Sequence, residues 1–270
     1  MTGRGIVCVV TGRYGLVAYF VHDEWHGCSL REYAEWSEAE VALWRKLIRL
    51  GDVAVDVGAH IGTHTLAFAS LVGPEGQVHA FEPQEAAVVL LRRNVEQNGL
   101  RNVTVSPGAL GAQPGTLRYD DPVYWRTGNF GGVELGPSGK KLAQVRTLDA
   151  ARLGRVDFVK VDVEGMEQAV LAGAAGTIRR CLPILYVEND RPELSDALIT
   201  TLRGFGYNVW WHLPPLFNPD NFARNRNNVF PGVVSLNLLA LPQGRDEPQD
   251  LWLRPLDAVR FRADGAVEYS

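Results

Sequence analysis

Between Asp56 and His64 the chain reads "DVGAHIGTH", one acid, two glycines and two histidines placed between an apolar run and an apolar helical pattern. Three chemistries use such parts. Glycines at a strand-to-helix turn let backbone amides approach a phosphate. Histidines four apart on a helix can form a zinc pair. An acid roughly 20 residues after the turn can accept hydrogen bonds from both hydroxyls of a ribose.

The surrounding residues discriminate among them. His60 falls in the turn rather than on the helix that carries His64, and no third ligand is close in sequence, which argues against zinc. The loop lacks the G-x-G-x-x-G spacing and the P-loop lysine, and Asp56 would repel a pyrophosphate. Glu82, in Phe81-Glu82-Pro83, lies 24 residues beyond Gly58 and suits a ribose. A nucleoside with a cationic far end fits best, and S-adenosylmethionine carries a sulfonium and an ammonium.

Two further acid-bearing segments end apolar runs: Asp162-Val163-Glu164-Gly165 and Glu188-Asn189-Asp190. One acid after a strand is ordinarily a helix cap. Four such termini on one rim, beside a glycine turn, would crowd like charges unless a cation or polyol ligand used them.

For those termini to converge, strands must lie side by side. The runs "VAVDV", "VHAF", "VTV", "FVKV" and "ILYV" are short and continuously apolar, and helical patterns separate most of them. That alternation predicts a parallel sheet covered on both faces, with ligands outside the carboxyl ends of its strands. The last two runs, "YNVWWH" and "VVSLNLLALP", have no helix between them, which predicts an antiparallel addition at one edge. Upstream, residues 5–22 read as a strand pair turning at Thr11–Gly15, and Ser37 with Glu40 reads as a capping box opening a helix. Asp264-Gly265 reads as a hairpin turn. The expected division is 1–50 as a strand-and-helix cap, 51–242 as the catalytic unit, and 243–270 as a tail with a hairpin, all within one structural domain.

With 270 residues, 46% of them hydrophobic, the chain can bury a full core. A net charge of −4, from 27 basic and 31 acidic residues, gives no footprint for nucleic acid or an anionic membrane surface. No apolar run is long enough to span a bilayer. Three scattered cysteines, Cys8, Cys28 and Cys181, form no disulfide framework. The expected location is the cytoplasm.

Taken in order, "DVGAHIGTHT", "FEP", "NGLRNV", "FVKVDVEGME" and "NPDNFARNRNNVFPGVVSLNLLALP" resemble the FkbM-type methyltransferases of the class I S-adenosylmethionine-dependent fold, across roughly residues 30–242. The resemblance implies a Rossmann-like, doubly wound α/β sheet of seven strands with the last antiparallel. It also implies O-methylation, by in-line displacement, of a hydroxyl on a sugar, glycosylated or polyketide-like small molecule. His60 departs from the asparagine more usual at its position.

By matching positions, Gly58, Ala59, His60 and Gly62 would border the methionine part of the cofactor and Asp56 would serve its ammonium. Glu82 and Pro83 would meet the ribose, and Gly108 and Ala109 the adenine. Asp162 would touch the cofactor and, with Glu164, is a candidate to activate the acceptor; His212 is a rival base or a structural histidine. Glu188-Asn189 falls where catechol O-methyltransferases of the same fold hold magnesium with an acid–amide pair. Asp162, Glu188 and Asn189 would therefore bind Mg2+ or Ca2+; in the alternative, Glu164 caps the next helix, Glu188 makes a salt bridge and no metal is held. Lys160 is expected to bond a rim acid.

Two loops, Tyr124–Glu134 and Leu213–Phe230, could either contact a polyhydroxylated acceptor or simply cover the core. The expected partner is a small-molecule hydroxyl acceptor, with a homodimer left open and neither nucleic acid nor membrane. A nicotinamide-dependent oxidoreductase and a non-catalytic nucleoside-binding protein are the rival readings.

Overall fold

The computed structural model describes residues 5–250, 252–262 and 267–269. The chain opens with an antiparallel hairpin, β1 (Val7–Gly12) and β2 (Gly15–Phe20), followed by α1 (His26–Tyr33) and α2 (Glu38–Leu47). A βα series follows: β3 (Val53–Val57), α3 (Thr63–Val72), β4 (Gln77–Glu82), α4 (Glu85–Gln97) and β5 (Val103–Pro107). A small three-stranded sheet then interrupts it, formed by β6 (Ala109–Leu110), β7 (Gly115–Tyr119) and β8 (Lys141–Arg146). The series resumes with β9 (Phe158–Val161), α5 (Glu167–Gly173), α6 (Ala175–Cys181), β10 (Ile184–Glu188) and α7 (Pro192–Gly204). It closes with β11 (Tyr207–His212), β12 (Asn237–Pro242), β13 (Leu253–Arg254) and a hairpin of β14 (Val259–Phe261) and β15 (Val267–Tyr269).

The main sheet runs β13-β11-β12-β10-β9-β3-β4-β5. Strands β5, β4, β3, β9 and β10 are mutually parallel, and β12 pairs antiparallel with both β10 and β11. All five residues of β3 are buried, as a central parallel strand with helices on both faces requires. Val55 and Val57 pack into one apolar cluster while Ala54 packs into the other, so the two cores lie on opposite faces of the sheet. The antiparallel strand is present as expected, but it sits between β10 and β11 rather than at the rim, and the two-residue β13 adds an eighth strand.

The N-terminal hairpin lies over α4. Asn94, fully buried, accepts from the Ala18 N–H at 2.6 Å and donates to the carbonyls of Ala18 and Ile61 at 3.0 and 2.8 Å. The capping box is not formed. Ser37 adopts a left-handed conformation (φ 45°), and its hydroxyl makes no cap. Glu40 turns inward instead, accepting from Asn237 Nδ2 at 3.2 Å. The Asp264-Gly265 turn lies outside the described residues, although β14 and β15 on either side of it do pair. No helix among the described residues is long and apolar enough to cross a membrane.

Candidate active site

The carboxyl ends of β3, β4, β9 and β10 border a cavity of about 370 Å³. One wall is mostly backbone. Gly58 has φ +79°, and a Cβ there would run into the Asp162 carbonyl, so the close approach of the β3 and β9 loops requires glycine. The N–H groups of Gly58 and Ala59 both donate to the Phe81 carbonyl at 3.0 Å, which locks the β3 turn to the end of β4.

Glu82 is held between two further backbone donors, the His60 N–H at 2.8 Å and the Gln84 N–H at 2.7 Å, one to each carboxylate oxygen. Only 3% of it is exposed, and burial pushes its carboxyl up to about 7 against the pull of those two N–H groups. Each oxygen keeps a further acceptor site, and the residue lines the cavity with Pro83, Gly108 and Ala109. Gly108 has φ +120° and donates to the Glu82 carbonyl at 2.9 Å.

Two residues expected on this wall are elsewhere. Asp56 is fully buried behind it, accepting from Thr65 Oγ1 at 2.6 Å and lying 3.8 Å from Lys160 Nζ. It sits within β3, one residue before the strand ends, so its side chain is enclosed rather than presented to the cavity. Gly62 starts α3 with φ +89°, and the space a Cβ would take is filled by Leu91, not left open for a ligand.

The opposite wall carries the acids. Lys160, 3% exposed, donates to Asp162 Oδ2 at 2.9 Å, as expected of a lysine bonded to a rim acid. Burial alone would raise the Asp162 carboxyl, but the Lys160 ammonium and a hydrogen bond with Glu188 outweigh it and hold it below the usual range. Glu188 moves the other way, pushed well up by burial and by the negative charge of Asp162. Glu164, in a left-handed conformation (φ 55°), accepts from Arg191 at 3.1 Å. Its carboxyl is raised to about 7 by burial and by Asp162 and Asp190. One oxygen from each of Asp162, Glu164 and Glu188 lies within 4.8 Å of the other two.

Asn189 does not join them. Its side chain is buried on the far side of β10, donating from Nδ2 to Ser195 Oγ at 2.8 Å, and Glu164 occupies the third position of the cluster instead. His212 does not line the cavity either. It is fully buried, with Nδ1 2.8 Å from the Tyr186 hydroxyl and Nε2 3.5 Å from Asp250. That places it in the core as a structural histidine, with its pKa lowered by burial.

A third part of the lining was not anticipated from the sequence. Trp25, His26, Trp36 and Glu40 reach the cavity from the N-terminal segment, and His64 joins them from the first turn of α3. The concentration of histidine and tryptophan in "HDEWHGCSL" was the available signal. The two candidate loops divide. Asn129, Gly131, Gly132 and Val133 of the first line the cavity, whereas Leu216 represents the second. The asparagines of that second loop bond one another and the cap: Asn221 Nδ2 donates to the Asn218 carbonyl at 2.9 Å, and Asn218 Nδ2 to Glu35 at 2.8 Å.

Residues 56–209 match the Methyltransferase FkbM domain. The chain is 28% identical over 205 residues to the 31-O-demethyl-FK506 methyltransferase FkbM of Streptomyces tacrolimicus, spanning 63% of this chain and 78% of that protein. It is 35% identical over 106 residues to a probable cobalt-precorrin-6B C(15)-methyltransferase (decarboxylating) of Saccharolobus solfataricus, spanning 39% of this chain and 49% of that protein. A solved structure of methyltransferase FkbM from Methylobacillus flagellatus superposes with a TM-score of 0.49 at 19% identity, covering 79% of this chain and 51% of that one.

Proposed function

We propose, from the premise that this chain belongs to the FkbM methyltransferase family, that it methylates a hydroxyl of a sugar, glycosylated or polyketide-like small molecule. S-adenosylmethionine supplies, when bound, an electrophilic methyl carbon on a sulfonium centre. The cavity suits such a ligand. Six acids, Glu40, Glu82, Asp162, Glu164, Glu188 and Asp190, line it with the ammonium of Lys160, and with Glu82 and Glu164 titrating near 7 a ligand bearing positive charge would draw out their ionised forms. Glu82 would accept from the ribose hydroxyls, the backbone at Gly58 and Ala59 would border the methionine part, and Gly108 with Ala109 the adenine.

The observation that carries the choice of oxygen is the state of Asp162. Lys160 donates to it at 2.9 Å at the cavity wall and holds its carboxyl below the usual range, beside a Glu188 that burial and the Asp162 charge push the other way. A hydroxyl is a weak nucleophile until its proton is leaving, and an anchored carboxylate is placed to take that proton as the new bond forms. The name of the Streptomyces relative, a 31-O-demethyl-FK506 methyltransferase, supports oxygen as the acceptor atom. Trp25 and Trp36 line the same cavity and give it aromatic surface suited to a sugar or a macrocycle. A magnesium ion, if used, would be held by Asp162, Glu164 and Glu188, an all-oxygen set of the kind it takes. The three free cysteines accord with action in the cytoplasm.

The test is methyl transfer from labelled S-adenosylmethionine to a panel of glycosides and macrolactones, each paired with its deoxy analogue, with and without Mg2+. Label is expected on an oxygen of a hydroxylated acceptor and absent from its deoxy partner. Cofactor binding without turnover on any hydroxyl acceptor, or a carbon-methylated product, would overturn the reading.

A further inference from the structure

A second group of ligating side chains lies apart from the acid cluster. Asp23 follows β2, His26 opens α1, and His60 sits in the loop after β3. Asp23 Oδ2 and His26 Nδ1 are 3.9 Å apart, the imidazoles of His26 and His60 meet edge to face at 4.6 Å, and one ligand atom from each residue lies within 4.8 Å of the other two.

Several of their polar atoms are buried without hydrogen-bond partners. Asp23 is 1% exposed and His60 6%, yet Asp23 Oδ2, His26 Nδ1 and both ring nitrogens of His60 have no hydrogen-bond partner. Buried polar atoms are almost always satisfied, so unpartnered atoms on three neighbouring ligating residues need an explanation. Each residue is also independently anchored. Asp23 Oδ1 accepts from the Trp25 N–H at 2.9 Å, His26 stacks on Trp36 at 3.9 Å, and the His60 backbone donates to Glu82. His60 holds a left-handed backbone (φ 48°), a conformation unusual for a non-glycine residue and often found at ligand sites.

From this geometry we infer that Asp23, His26 and His60 form a binding site for a divalent transition-metal ion, zinc foremost, with its open coordination position facing the cavity. Two imidazoles and one carboxylate select a borderline metal such as zinc or iron(II) over magnesium or calcium, which take oxygen ligands. Ligands about 2.0–2.2 Å from a tetrahedral ion stand roughly 3.3 Å apart, so side-chain rotations of well under about 1 Å would bring Asp23 and His26 into place. His26 and His60 line the cavity whereas Asp23 backs them, which leaves the remaining position for an oxygen of whatever the cavity holds. The site is separate from Asp162, Glu164 and Glu188 and does not depend on which acceptor is methylated.

The test is titration of the metal-free full chain with Zn2+ in competition with a chromogenic chelator. One equivalent should bind tightly, and His26→Gln and His60→Asn should each weaken it on the order of 100-fold, at least as much as losing an outer-shell partner does. Cys8→Ser, at an exposed cysteine, should leave it unchanged. Circular dichroism would show that the variants are folded. On the wild-type chain, X-ray absorption at the bound ion should show nitrogen and oxygen neighbours with imidazole scattering. Binding equal in wild type and both histidine variants, absence of an equimolar complex, or sulfur neighbours from the cysteines would overturn the inference.

Discussion

The two walls of the cavity are built by different means. Toward β4 and β5, glycines and backbone N–H groups do the shaping, and one carboxylate, Glu82, is clasped by two amides. Toward β9 and β10, side chains shape the wall: Lys160, Asp162, Glu164 and Glu188 set one another's charge. A wall of backbone cannot easily be altered by substitution and suits a ligand that does not change between reactions. A wall of coupled side chains holds protons in defined places and suits the chemistry of the acceptor. The contrast predicts that damage to the first appears in cofactor binding and damage to the second in turnover.

Crossing the two walls should produce the largest effects. Asp162→Asn is expected to lower kcat by about 100-fold or more while changing cofactor Kd by less than about threefold, the range a general base contributes. Glu82→Ala should weaken cofactor binding by about 10- to 100-fold, as loss of hydrogen bonds to a charged group does, with kcat at saturation little changed. Steady-state kinetics with calorimetric titration separate these outcomes, and an effect of Glu82→Ala on kcat alone would erase the distinction between the walls.

The pH dependence should be smaller and graded. With its carboxyl raised to about 7 by burial, Glu82 stabilises the empty fold most at low pH, and that contribution is lost as pH rises through about 7. Ribose hydroxyls need the ionised form, so cofactor affinity should run in the opposite direction, rising by up to about tenfold per unit below that point and then levelling. Glu164 titrates in the same range, so the control is Glu82→Gln, in which the slope should flatten. A slope that persists in that variant would assign the dependence to the acid wall.

The smallest functional effect is expected away from both walls. His212→Phe removes the partner of the buried Tyr186 hydroxyl and should cost about 1–3 kcal/mol of stability, read as a lower Tm. Its kcat and cofactor Kd should stay within about twofold of wild type. A large fall in kcat with unchanged Tm would return His212 to the list of bases.

Much of the fold is legible in the chain. Continuous apolar strands and glycine turns are local patterns, and β3, β4, β9 and β10 fall within a residue or two of where those patterns place them. The insertion that carries β7 and β8 escapes notice because its strands are mostly exposed and pair within a small sheet apart from the main one. The Ser37–Glu40 pair shows the limit of a local rule. A capping box fits the spacing, but the cavity and Asn237 draw Glu40 inward and the cap is never made.

From the sequence alone came the order of the βα units, the glycine turn at Gly58 and the placing of Glu82, Asp162, Glu164 and Glu188 at strand ends. Spacing along one segment is enough to establish these. Which way each side chain faces was decided only by tertiary structure, because that depends on strand parity and on what packs alongside. Asp56 and Glu82 both belong to strand ends, yet one is sealed against Lys160 and the other opens to the cavity. Glu164 takes the place expected of Asn189 because β10 turns that amide toward Ser195. The meeting of His60 with Asp23 and His26 joins segments 34 and more residues apart, and no spacing along the chain could announce it.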